Sequence, residues 1–271
     1  TPPLTLRVNT ARAGRDELMR TLEETGVPAS PGRLAESAVI LENRLPVWEL
    51  PVFKEGLCTI QDEGAQLIAP LLKAEPGHTV LDACSAPGGK TSHLVEFMAA
   101  SGLIVAADRS LKRLQMMVDN LERLGTGKTG LVAADLSKTA IPFSSGAFDR
   151  VLLDAPCSGT GVLRRHPEGK WRKDPHTISL MTGIQEDLLA SAAGVLKTGG
   201  RLLYTTCSLL PEENEAIVDH CLAELGSLVR IDMREEFPEM RSDVFTDRGE
   251  LRLWPHIHDC DGFYASLLEK K

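Results

Sequence analysis

From His78 onward the chain repeats one unit: a short apolar run, a polar residue that closes it, a loop, then a helical stretch. Residues 79–81 lead into Asp82, 103–107 into Asp108, 131–134 into Asp135 and 151–153 into Asp154, while 202–205 lead into Cys207. Helical patterns such as Leu111–Leu124 and 184–196 fall between these runs, and the second meets a stop at Thr198-Gly199-Gly200. Strand and helix alternating in this way build a mostly parallel sheet covered by helices on both faces. The expected fold class is therefore α/β with a Rossmann-like sheet. Residues closing successive strands then collect along one edge, where such sheets bind ligands. The last apolar run, 262–268, reads as a final strand, antiparallel and at the edge of the sheet.

The first 76 residues lack that alternation. Leu4–Val8 and Ala38–Leu41 read as strands, and Arg15–Glu24 as a helix stopped by Gly26 and Pro28. Residues 62–73 read as a helix with Ala65, Leu67, Ile68, Leu71 and Leu72 mostly on one side. The expected division is a small α+β subdomain over 1–76, RRM-like, ahead of a large domain over 77–271. No apolar run approaches the roughly 18 residues of a membrane span. The start, Thr1-Pro2-Pro3-Leu4-Thr5, has neither an initiator Met nor a signal-peptide pattern, which suits a segment cut from something longer. The six cysteines include no Cys-x-x-Cys pair, and no Cys/His cluster has zinc spacing, which suits reduced thiols and no metal. A cytoplasmic monomer with no membrane partner is expected.

The first strand-to-helix turn is Leu81-Asp82-Ala83-Cys84-Ser85-Ala86-Pro87-Gly88-Gly89-Lys90-Thr91. Gly88 and Gly89 admit a ligand where a side chain would collide. The turn is neither the dinucleotide Gly-x-Gly-x-x-Gly nor a P-loop. Asp108, closing the second strand, is placed to hold both hydroxyls of a ribose, and Asp135, closing the third, to accept from an adenine amino group. One such aspartate is usually a helix N-cap. In series behind a glycine turn they favour an adenosine ligand without phosphates, hence S-adenosylmethionine and a class I methyltransferase sheet.

Cys157 lies in Asp154-Ala155-Pro156-Cys157-Ser158-Gly159-Thr160-Gly161, and Cys207 in Tyr204-Thr205-Thr206-Cys207-Ser208. Both loops leave strand ends at the same edge, so two thiols distant in sequence are expected over one substrate. That arrangement suits methylation of carbon 5 of a pyrimidine. Carbon 5 of cytosine is a poor nucleophile until a thiolate adds at carbon 6 and makes the ring enamine-like. Afterwards the carbon-5 proton must leave and the thiol must be expelled. An ordinary thiol, with a pKa of about 8.5, is little ionised at neutral pH, so Lys90 or a helix N-terminus after Cys207 is expected to favour the thiolate. Asp154 would protonate ring nitrogen 3 as charge develops. Cys58, Cys84, Cys221 and Cys260 read as packed interior residues. These residues alone leave open which of the two thiols attacks.

Arg164, Arg165, His166, Lys170, Trp171, Arg172 and Lys173 form a basic stretch directly after the Cys157 loop. Cations beside an aromatic ring suit phosphate contact and base stacking, and Arg164, Arg165, Lys170, Trp171 and Arg172 are expected to bind RNA. Such a local patch answers the net charge of −8, which by itself disfavours a nucleic-acid partner.

With these motifs in this order, the chain resembles the RNA cytosine-5 methyltransferases of the NOL1/NOP2/Sun group, in particular the bacterial RsmB (Fmu/Sun) enzymes of small-subunit ribosomal RNA. The resemblance runs nearly end to end, through Leu6-Arg7-Val8-Asn9, Gln61-Asp62, 82–91, 154–162, 164–171, 206–214 and Asp261-Gly262-Phe263. It implies that Cys84, Ser85, Ala86, Pro87, Gly88, Gly89 and Lys90, with Asp108, Asp135 and Asp154, contact S-adenosylmethionine. It also implies that Cys207 attacks carbon 6 and that Cys157 assists product release; DNA cytosine-5 methyltransferases use the Pro-Cys cysteine as nucleophile instead. A 16S ribosomal RNA substrate follows from the same likeness, with the N-terminal piece helping to hold RNA and the target base flipped into the site. Ser85 departs from the more usual Ala. Nothing resembles the NusB-like helical domain of RsmB enzymes, so an excised catalytic region or a shortened member is expected. The alternatives are the same chemistry on transfer RNA, or a non-catalytic RNA-binding paralogue. A small-molecule methyltransferase is disfavoured, having no need of two thiols.

Overall fold

The computed structural model describes residues 2–99, 101–127, 129–138, 140–172 and 174–271, and the side chain of Arg172 lies outside that description. The chain opens with strands β1 (Leu4–Val8), β2 (Ala29–Pro31), β3 (Ala38–Leu41) and β4 (Cys58–Ile60), which form an antiparallel sheet in the order β2-β3-β1-β4. The helix Arg15–Glu24 buries Leu18 and Leu22, four residues apart and so on one face, against Leu6, Val8, Val39 and Cys58. Residues 62–73 fold as two short helices, Glu63–Gln66 and Ile68–Leu71, rather than one. Pro70 has no N–H to donate to the Gln66 carbonyl, so a continuous helix would lack that bond. Ile68, Leu71 and Leu72 pack with Val80, Leu94 and Leu203 of the larger part of the chain.

The second sheet comprises β5 (Thr79–Asp82), β6 (Leu103–Asp108), β7 (Thr129–Ala133), β8 (Phe148–Asp154), β9 (Leu196–Thr206), β10 (Leu228–Ile231), β11 (Leu251–Leu253) and β12 (Phe263–Lys270). Its order is β10-β12-β9-β8-β5-β6-β7, with β11 beside β12. The strands from β5 to β9 run parallel, and β12 pairs antiparallel with β9 and β10. The antiparallel strand expected at the edge therefore lies one place in, because the short β10 covers it. Alternate residues of the central strands enter two cores. Leu152, Leu203 and Leu267 face one, and Val151, Leu153, Leu202, Tyr204 and Leu268 face the other. The helix expected over 184–196 begins at Pro175, where the Asp174 carboxylate accepts from Thr177 N at 2.9 Å. It ends at Val195, so Thr198-Gly199-Gly200 is a bend within β9, with Gly199 at φ 72°, and not the helix stop.

The two sheets are bolted together by Arg7. Its guanidinium is fully buried and donates to Gln61 Oε1 (2.7 Å), Gly89 O (2.6 Å), Ser92 Oγ (2.9 Å) and Glu96 Oε1 (2.8 Å). Asn9 adds bonds to the carbonyls of Gly56 and Leu124. Arg7→Met removes the cation from a buried pair and strands Glu96. The expected result is a loss of about 3–5 kcal/mol in urea unfolding; a loss below ~1 kcal/mol would show that the pair does not hold the halves together.

Candidate active site

Parallel pairing of β8 with β9 sets Asp154 beside Thr205, and the two following loops run on together. Ala155 N donates to Thr205 O at 2.8 Å, and Gly161 N to Cys207 O at 2.9 Å. A Cβ at Gly161 would lie 2.2 Å from Gly262 O and 2.8 Å from Cys207 O, so only glycine fits this crossing. The outcome is that Cys157 and Cys207, 50 residues apart, stand with their sulfurs 3.5 Å from one another. Both are half-buried. The turn after Cys207 is held by Asn214, which accepts from Thr206 Oγ1 at 2.5 Å and donates to Ser208 O at 3.0 Å.

Lys90, in the first turn of the helix Gly89–Phe97, reaches across to Asp154 Oδ2 at 2.7 Å, and its ammonium lies 5.2 Å from the centre of the Phe263 ring. Burial opposes its charge, but the Asp154 carboxylate prevails and holds the ammonium above its ordinary range. Cys157 and Cys207 share a sulfur–sulfur hydrogen bond, and that bond with the nearby Lys90 cation holds the Cys207 pKa below the ordinary thiol value despite burial and Asp154. The same bond pushes Cys157 well above that value, with burial and the charges of Cys207 and Glu213 adding to the effect. Of the two thiols, Cys207 is the one whose surroundings favour ionisation.

Beside the thiols lies a cavity of about 250 Å³. Cys84, Ala86, Asp108, Asp135, Asp154, Cys157 and Cys207 line it, with Leu136, Ile184 and Leu188 supplying apolar wall. Carboxylates at one stretch of wall and aliphatic side chains at another fit an adenosine group, which offers hydroxyls, an amino group and a flat ring. Asp108 is buried and accepts from Ser110 N (2.8 Å) and Ala86 N (3.3 Å), with Arg113 paired to it at 3.2 Å. Asp135 accepts from the Ser137 hydroxyl (2.6 Å), which holds its carboxyl below the usual range. Ser85, Pro87, Gly88 and Gly89 shape the turn behind the wall. Gly88 adopts φ 95°, and Ser85 is buried against Met117. Cys84, expected to be packed away, faces the cavity, while Cys58, Cys221 and Cys260 are buried. Asp82 sits under the turn and accepts from Thr91 Oγ1 (2.6 Å), and burial raises its pKa to about 7.

The basic stretch divides. Arg164 and Arg165 are partly buried, and carboxylates take their guanidinium groups. Arg164 donates to Asp261 Oδ1 (2.7 Å) and Asp62 Oδ2 (3.1 Å), and Arg165 to Asp261 Oδ2 (2.7 Å) and Asp62 Oδ2 (2.6 Å). They tie the Cys157 loop to the subdomain junction and to the start of β12. Trp171, by contrast, is 81% exposed, with Lys170 4.7 Å over its ring. The Arg172 side chain and Lys173 lie outside the described residues. A residue that the sequence did not mark is Glu213, a buried carboxylate bridging the two cysteine loops through Ser158 and Ser208. Among the described residues no cluster could hold a metal ion, and no helix is long and apolar enough to cross a membrane.

Comparison with known proteins agrees with this geometry. The family described as 16S rRNA methyltransferase RsmB/F matches residues 69–269, and a ferredoxin-like domain described for RsmF/B-like methyltransferases matches residues 1–48. Ribosomal RNA small subunit methyltransferase B of Pseudomonas syringae pv. tomato is 39% identical over 99% of this chain and 60% of its own length. Its counterpart of the same name from Escherichia coli O1:K1 is 42% identical over 100% and 60%. The solved structure of PH0851 superposes over the whole chain and 60% of its own, with a TM-score of 0.92 and 34% identity. The chain thus spans about 60% of the length of the curated relatives named here.

Proposed function

Because the chain belongs to the 16S rRNA methyltransferase RsmB/F family, we propose that it methylates carbon 5 of a cytosine in 16S ribosomal RNA, in the cytoplasm, with S-adenosylmethionine as donor. The observation that carries this reading is the thiol pair: two cysteines from different strand ends, 3.5 Å apart, beside an ammonium–carboxylate pair. S-adenosylmethionine supplies an electrophilic methyl group. Cys84 and Ala86, with Asp108 toward the ribose and Asp135 toward the adenine, would hold it in the cavity, and Asp154 would stand between it and the base.

Cys207, as thiolate, adds to carbon 6 of the flipped cytosine, and carbon 5 becomes nucleophilic enough to take the methyl group. The Lys90–Asp154 pair keeps a proton beside the ring for nitrogen 3 as charge develops there. Cys157 assists the last stage, in which carbon 5 loses its proton and the bond between carbon 6 and Cys207 breaks. The test is transfer of labelled methyl to naked 16S rRNA and to transfer RNA in parallel, with the modified nucleoside identified after digestion. Label in 5-methylcytidine of the 16S rRNA is expected. Label on transfer RNA alone would reassign the substrate, and none on either, with S-adenosylmethionine bound, would favour a non-catalytic RNA-binding protein.

Lys170 and Trp171 are proposed as RNA contacts, Trp171 by stacking on a base. Trp171→Ala is expected to weaken RNA binding about tenfold, as loss of one stacked base does, without altering affinity for S-adenosylmethionine. Unchanged RNA affinity in a filter-binding titration would remove Trp171 from the interface.

A further inference from the structure

The loop that carries Cys157 is held by a residue from outside the catalytic sheet. It leaves β8 after Asp154, and Arg164 and Arg165 hold its far end by each spanning two carboxylates, Asp62 and Asp261. Asp62 belongs to the stretch between β4 and the helix Glu63–Gln66, where the small antiparallel sheet joins the larger part of the chain. Its Oδ1 accepts from Gly64 N at 2.8 Å and Asp261 N at 2.9 Å. Its Oδ2 accepts from Arg164 Nη2 at 3.1 Å and Arg165 Nη2 at 2.6 Å. A carboxylate offers about four lone-pair positions, and here donors fill them. The Asp62 and Asp261 side chains are 7% and 5% exposed, so water does not readily replace a lost partner. From this cluster two short paths reach the reacting groups. Gly262, next to Asp261, donates to Gly161 O at 2.9 Å, and Gly161 N donates to Cys207 O at 2.9 Å. Phe263 follows, its ring centre 5.2 Å from the Lys90 ammonium.

We propose that Asp62 is a positioning residue for methyl transfer: by gathering Arg164, Arg165 and the Asp261 backbone on one carboxylate, it sets the Cys157 loop and the Gly262-Phe263 segment in place beside Cys207 and Lys90. The N-terminal part of the chain thereby takes part in the chemistry without touching substrate or cofactor. Two guanidinium groups balance two carboxylates, and the balanced cluster joins three distant segments into one block. An amide of the same shape cannot do this. Asn offers one oxygen to four donors, and its NH2 group must face either the two guanidinium groups or the two backbone N–H groups. The loops must then shift, and a displacement of about 1 Å at a reacting group can lower a rate by ~100-fold. The effect on rate rests on the proposed methyl transfer, whereas the placement of the thiols is measurable without any substrate.

The test compares wild type with Asp62→Asn in two measurements. The first uses dibromobimane, which attaches to one thiol and then bridges to a second thiol close by. Peptide mass spectrometry reads the ratio of bridged Cys157–Cys207 to singly labelled product. That ratio should fall about fivefold or more in Asp62→Asn, because the second, intramolecular step depends on how the thiols are held. The second measurement is kcat and KM with 16S rRNA, alongside S-adenosylmethionine affinity by calorimetry. The expected result is a kcat lower by about tenfold to a hundredfold, with KM and cofactor affinity within about twofold of wild type. A folded Asp62→Asn that bridges its thiols as wild type does would make Asp62 merely structural, whatever its unfolding midpoint, and would overturn the proposal. A raised KM with kcat intact would overturn it too, by assigning Asp62 to RNA binding. Should Asp62→Asn not fold, Arg165→Lys serves, because lysine keeps the cation but lacks the fork that spans both carboxylates. Its bridged ratio should also fall, and an unchanged ratio would overturn the proposal. Wild type that bridges its thiols but methylates neither RNA would remove the proposed substrate, while the bridged ratio still decides the role of Asp62.

Discussion

Cys207→Ala is expected to lower methyl transfer by at least about a thousandfold, with S-adenosylmethionine affinity nearly unchanged. Losing a nucleophile removes a pathway, whereas losing a contact only weakens one, and groups that act as a unit fail together. Cys207 lines the cavity, but the surfaces proposed to hold ribose and adenine are Asp108, Asp135 and their neighbours, so binding should survive. The measurement is a pair: initial rate with RNA, and cofactor affinity by calorimetry. Loss of both together would mean that Cys207 holds the cavity in shape. A residual rate within about tenfold of wild type would mean that no covalent adduct lies on the path.

Lys90→Met should act through charge, and pH exposes it. With the ammonium gone, Cys207 loses the cation that favours its thiolate and feels the Asp154 carboxylate unopposed. The thiolate then becomes harder to form, so the pKa of Cys207 rises. Activity near pH 7 should fall about tenfold or more, and the alkaline side of the rate profile should recover part of it as pH rises, the midpoint moving up by about one unit. A rate lost equally at every pH would assign Lys90 to structure or to cofactor contact, and not to the thiolate.

The active edge was legible in the sequence for a physical reason. Strand ends of a parallel sheet must lie together, so Asp82, Asp108, Asp154 and Cys207 were placed by their position after apolar runs. The β-branched and leucine-rich runs identified most of the central strands, and the period of Leu111–Leu124 gave that helix with its bounds. What the sequence hid depends on partners far along the chain. Arg164 and Arg165 read as part of a basic patch, and the sequence does not reveal that Asp62 and Asp261, each about a hundred residues away, take their guanidinium groups. Glu213 sits in a Pro-Glu-Glu segment, where an acidic residue ordinarily faces water near a helix start. Only the return of the Cys157 loop, 55 residues upstream, buries it. The short β10 has four residues and little pattern to read, and the glycines near Gly199 serve a strand bend as readily as a helix stop.

In the proposed reaction the thiols act in order, first Cys207 and then Cys157. That order makes a distinct prediction. If Cys157 serves only release, its removal should leave the enzyme able to attack and methylate but unable to let go. Cys157→Ala protein mixed with S-adenosylmethionine and 16S rRNA, then run on a denaturing gel, is predicted to give a slow RNA–protein band that is absent from Cys157→Ala/Cys207→Ala. A band that persists in the double variant, or that forms with Cys207→Ala and not with Cys157→Ala, would contradict the account.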